Sequence, residues 1–137
     1  MTAQALIVAG ALVFGLLGSL HLAYTFFTGL FSPRDPATEA AMKATHPRLT
    51  SRTTLWNAWV GFNASHSLGA LLFAAVYLLL ALAHMPWLRE SPALVWLAAL
   101  TSLAYLALAV RYWFRTPLLG IAAATVCFFA AAIALSV

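Results

Sequence analysis

Long apolar stretches separated by short polar ones make up nearly the whole chain. Four stretches, at about 4–31, 55–84, 93–114 and 118–137, each reach the roughly 20 residues that a helix needs to cross a hydrocarbon layer about 30 Å thick. Ala and Leu dominate them. A membrane β-barrel would alternate apolar and polar residues with a period of two, and runs such as 70–83 do not. The pattern predicts an all-α integral membrane four-helix bundle, with residues 1–137 forming a single transmembrane domain.

The first stretch could be mistaken for an export signal. Residues 1–10 contain no Lys or Arg, however, whereas a signal carries a basic region ahead of a shorter apolar core, so a permanent helix is expected. The connector at 32–53 is the only sizeable polar segment. Asp35 followed by Pro36 reads as a helix cap with proline at the first position, and Glu39 and Lys43 are spaced i,i+4. With Pro47 ending the pattern, a short surface helix is expected there.

Composition agrees with this plan, since 64% of the side chains are hydrophobic and only 7% are charged, against about a quarter in soluble domains. The net charge of +4 does not point to nucleic acid, because the seven basic residues sort by loop and do not form one soluble face. Arg34, Lys43, Arg48 and Arg52 lie in the first connection, Arg111 and Arg115 flank the third, and only Arg89 lies in the second. The positive-inside rule then places the 32–53 connector in the cytoplasm and both termini on the non-cytoplasmic side. Trp56, Tyr112 and Trp113 would mark one interface, and Trp87 with Trp96 the other. Membrane lipids are the expected surroundings, the connector's basic residues could attract anionic lipid, and the bacterial inner membrane is the default location.

Polar groups within such helices are costly, so they mark candidate function. His46 lies in the connector and His84 at the end of the second stretch, where both are expected to be solvated. His21 and His66 lie about ten and eleven residues from the connector ends of consecutive helices, some 15–17 Å inside, so their imidazoles are expected to meet near mid-membrane. Gly18, His21, Thr25 and Thr28 share one helical face; Trp59, Asn63, His66 and Ala70 share another, with Ser67 at its flank. Tyr105 and Thr125 would reach a similar depth on the third and fourth helices. Gly10, Gly15, Gly18, Gly61 and Gly69 would let helices approach closely.

Several accounts of this layer compete. It could simply supply interhelical hydrogen bonds that fix register. Two facing imidazoles are also the minimum for a bis-histidine haem b, although no Cys-x-x-Cys-His occurs. A metal would need further ligands, and the spans offer no carboxylate and one lone cysteine, Cys127, which is read as a packing residue. The remaining account is a pocket for a lipid-soluble molecule. In it His21 and His66 bond the ligand or handle a proton, Thr25, Asn63 and Tyr105 orient it, Trp59 packs against it and Ser67 flanks it.

The run Gly61-Phe62-Asn63-Ala64-Ser65-His66-Ser67-Leu68-Gly69 resembles a signature of a family of small four-helix bacterial integral membrane proteins of unassigned function. The first-helix set Gly18, His21 and Thr25 is similar to that family's first helix. The resemblance rests on these two stretches and a shared hydropathy plan. It implies the four-helix architecture, draws attention to His21, Asn63, His66 and Ser67, and implies no activity. Paired carboxylates, nucleophile motifs and phosphate loops are missing from the sequence. The chain is thus read either as a binder of a ligand or cofactor, or as an accessory or assembly subunit of a larger membrane complex or homo-oligomer.

Overall fold

The computed structural model describes residues 3–136. Six helices follow one another: α1 (Ala3–Phe27), α2 (Pro36–Ala44), α3 (Leu55–Ala83), α4 (Met85–Glu90), α5 (Pro92–Tyr112) and α6 (Arg115–Ser136), with no strand among the described residues. Helices α1, α3, α5 and α6 are long and apolar enough to cross a membrane. About a third or less of each such span is buried, and exposed Leu12, Leu72, Leu82, Leu97, Leu119 and Val126 cover their outer faces. A surface that apolar fits hydrocarbon surroundings, as in a transmembrane helical protein.

Several helix ends differ from the sequence reading. Helix α1 stops at Phe27, not near Phe31, because the Thr28 hydroxyl donates to Tyr24 O at 2.9 Å and accepts from Leu30 N–H at 3.2 Å. The turn at Gly29, closed by Ser32 N–H to Gly29 O at 3.1 Å, then leads the chain away. Helix α6 begins at Arg115, three residues early, since Pro117 falls in its first turn, where a missing N–H costs nothing. The expected end at Val137 lies outside the described residues. Helix α4, which the sequence reading did not contain, fills the second connection, with Pro86 in its first turn.

The expected connector helix is α2. Asp35 caps it, accepting from Ala37 N–H at 3.1 Å and Thr38 N–H at 3.2 Å, and Lys43 pairs with Glu39 one turn on. Those two backbone bonds and the Thr38 hydroxyl lower the pKa of Asp35 below the usual carboxylate range, the Thr38 hydroxyl contributing most.

The chain divides into two compact units. The first comprises the chain up to Leu17 and from Ala70 onward. Its core is an aromatic group of Phe14, Phe73, Tyr77 and Phe128 surrounded by alanines 11, 74, 81, 98, 99, 124, 131 and 132. Small residues let the helices close around those rings. At Gly10 a Cβ would stand 2.9 Å from the Phe128 ring, and at Gly15 it would reach Ala74 at 3.4 Å. Polar ties also run between elements, with Gln4 Nε2 donating to Ala81 O at 2.8 Å and Tyr77 OH to Leu94 O at 2.7 Å. The second unit, Gly18–Gly69, holds the end of α1, the connector with α2, and the start of α3.

Candidate functional site

Six of the seven site residues expected from sequence fall in the second unit. His21 Nε2 lies 2.9 Å from Asn63 Oδ1, and the His21 and His66 rings stand edge to face with centroids 5.4 Å apart. Asn63, only 5% exposed, donates from Nδ2 to Trp59 O at 2.8 Å, one helical turn earlier. A carbonyl can only accept, so this bond fixes which way the amide points. Its Oδ1 therefore faces His21, whose Nε2 carries the hydrogen of that bond.

The remaining hydroxyls bond locally. Thr25 Oγ1 donates to His21 O and Ser67 Oγ to Asn63 O, both at 2.8 Å. Each ties the backbone of a site residue to the next turn of its own helix. Fully buried Ser67 thereby spends its hydrogen on Asn63's carbonyl.

Helix α1 ends six residues after His21, about 9 Å along its axis, while His66 lies eleven residues into α3, about 16 Å along. Counted along α1, His21 is thus closer to the connector than the sequence count of 15–17 Å implied. The shorter α1 also frees Phe31 from the helix. Its ring lies on His21 with centroids 4.4 Å apart, and its carbonyl accepts from Trp59 Nε1 at 3.0 Å. On the other imidazole, the Phe62 ring stacks on His66 at 6.3 Å. Neither phenylalanine was expected at the site, because apolar residues beside an apolar helix carry no local signal. The missed signal was the Thr28-Gly29 pair, which stops α1 and turns Phe31 back.

A recess of about 40 Å³ opens beside this cluster. Thr25, Thr28, Phe31 and Ser32 form one wall; Trp56, Trp59, Val60 and Asn63 form the other. One water needs roughly 10–15 Å³ on this measure, and a drug-sized ligand takes roughly 300–1,000 Å³. The recess therefore admits a few waters or one polar group. Thr25 and Thr28 both give their hydroxyl hydrogens to carbonyls a turn back, so towards the recess they act as acceptors.

No family model, curated protein or solved structure matches the chain.

Tyr105, the seventh expected residue, belongs to the first unit, where its ring meets Phe14 edge to face at 5.3 Å. Thr125 is there too and ties α6 to α5, its hydroxyl donating to Ser102 O at 3.2 Å and to Ile121 O at 2.8 Å. A Cβ added at Gly61 would meet nothing within 4 Å, so the close approach expected there is absent. His46 is exposed but not merely solvated: its Nδ1 donates to Thr53 O at 2.7 Å. His84 is half-buried, with its ring stacked on Trp87 at 4.7 Å.

A haem does not fit the histidine pair. Bis-histidine ligation needs the two imidazole nitrogens to face one another across a porphyrin, whereas these rings lie edge to face and Nε2 of His21 is turned to Asn63. Among the described residues no three His, Cys, Asp or Glu side chains gather as a metal site.

Proposed function

We propose that this chain is a four-helix membrane bundle that binds the polar end of a lipid-soluble molecule beside His21 and His66. One observation carries the reading. Asn63 is both a wall of the recess and the hydrogen-bond partner of His21, so a polar group seated there is one bond away from paired imidazoles. Only the tip of a ligand fits, and its apolar body would stay in lipid along the exposed faces of α1 and α3. Neither imidazole lines the recess itself, so Asn63 would link the ligand's polar end to His21, with His66 beside it as the second imidazole able to handle a proton.

The proposal includes the orientation. Six of the seven basic residues lie in the first connection or flank the third, which supports a cytoplasmic side for those two connections and a non-cytoplasmic side for both termini. It also includes the bacterial inner membrane as the location, and membership of the small four-helix family that the Gly61 to Gly69 run resembles.

Substitution separates a working histidine from a structural one. Interhelical hydrogen bonds in membranes average about 0.6 kcal/mol, so His66→Gln, which keeps a polar group, should retain the fold. It should nevertheless abolish retention of co-purifying ligand, or complementation of a deletion strain, with the thermal midpoint unchanged. Stability falling in step with activity, or full activity, would reject the proposal in favour of an accessory or assembly subunit.

A further inference from the structure

The loop between α2 and α3 is clamped at its base and bare at its tip. Leu55 N–H donates to Thr45 O at 2.8 Å and His46 Nδ1 to Thr53 O at 2.7 Å, so residues 46–53 leave and return at one place. Thr50 N–H donates to Pro47 O at 3.2 Å, closing a four-residue turn with Arg48 and Leu49 at its centre. Arg52 N–H in turn donates to Thr50 Oγ1 at 3.1 Å.

What this framework presents is unusual for a solvated connector. Leu49 is 93% exposed, and Arg48 and Arg52 lie on either side of it in the same loop. The sequence contains no acid between Glu39 and Glu90; Glu39 pairs with Lys43, and Asp35 caps α2. Neither Arg48 nor Arg52 has an acidic partner among the described residues. A hydrogen-bonded turn therefore carries two exposed, uncompensated arginines that flank a bare apolar residue along the chain.

We propose that this loop is a binding site for an anionic phospholipid, whose phosphate seats between Arg48 and Arg52 while Leu49 enters the headgroup layer. The guanidinium fork matches phosphate oxygens two at a time. The loop ends two residues before α3, whose first turn carries Trp56 with the Lys43 ammonium 5.1 Å from its ring centre. Amphipathic rings of that kind settle where hydrocarbon meets headgroups, which sets the loop at phosphate depth. A nucleic acid or soluble phosphoprotein would satisfy the arginines but not Leu49, whereas a lipid surface satisfies both. The site is separate from the His21 recess and requires only that α3 spans the membrane.

A spin label on Leu49→Cys, in the full chain with Cys127→Ser, reads the loop's surroundings in nanodiscs. In phosphatidylglycerol the label should be reached by oxygen dissolved in lipid, and in phosphatidylcholine by a water-soluble nickel chelate. Arg48→Gln with Arg52→Gln should return the label to water in phosphatidylglycerol, lowering the seating equilibrium about twenty-five-fold, or about fivefold per arginine. Arg111→Gln with Arg115→Gln removes the same charge elsewhere and should leave the label seated. The same accessibility in both lipids, an equal effect of the Arg111 and Arg115 changes, or release by inorganic phosphate would overturn the proposal. Should the Arg48 and Arg52 variant fail to fold, the comparison of the two lipids with those arginines intact decides.

Discussion

Replacing Asn63 by leucine should release the His21 ring from its tautomer. The side chains are similar in size, so the change removes hydrogen bonds with little change in packing volume. Two bonds are lost, from His21 Nε2 at 2.9 Å and to Trp59 O at 2.8 Å. In the native protein an Nδ1–H tautomer would turn a ring lone pair onto the Asn63 oxygen and forfeit the first bond. A bond of about 0.6–1.5 kcal/mol there favours the Nε2–H form by roughly three- to tenfold. That bias should vanish in Asn63→Leu, and stability should fall by about 1–2 kcal/mol because a part-buried N–H loses its acceptor. Nitrogen-15 NMR of ring-labelled protein distinguishes the tautomers, with His21→Gln assigning the signals and a denaturant series giving the stability. A native His21 protonated on Nδ1, or a tautomer ratio that Asn63→Leu leaves untouched, would refute the argument.

Two further outcomes follow from the packing and the cap. Gly10→Ala should destabilise by about 1–3 kcal/mol, because its Cβ would stand 2.9 Å from the ring of fully buried Phe128, whereas Gly61→Ala, with nothing within 4 Å, should be neutral or stabilise by up to about 1 kcal/mol; unfolding midpoints compare them directly. The α2 cap should be pH-dependent. The pKa of Asp35 is lower in the folded chain than its ordinary value of 3.8, so its contribution is complete above that value and is lost as pH falls through the folded pKa. Amide exchange at Ala37 and Thr38 should accelerate there in the native protein but show no such step in Asp35→Asn.

Local features were legible in the sequence because their causes are local. Length and apolarity alone mark four spans, and the α2 cap is built from contacts within three residues of Asp35. The meeting of His21 with His66 was also expected from helical spacing and a chain reversal, although α1 ends earlier than that spacing assumed and the two residues are not equally far from their helix ends. Which side of each span meets a neighbour was not. The four spans are apolar nearly all round, and lipid and protein neighbours are both served by Leu, Val and Phe, so polarity does not distinguish an inward face from an outward one. Tertiary structure therefore decided that Gly10 lies under Phe128 while Gly61 stands open, and that Tyr105 meets Phe14 and Thr125 bonds to Ser102. It decided the chemistry of the site in the same way. Trp59's carbonyl turns the Asn63 amide, that amide sets the His21 proton, and the early end of α1 brings Phe31 back over the ring, because each of these depends on a distance between atoms that no spacing along the chain specifies.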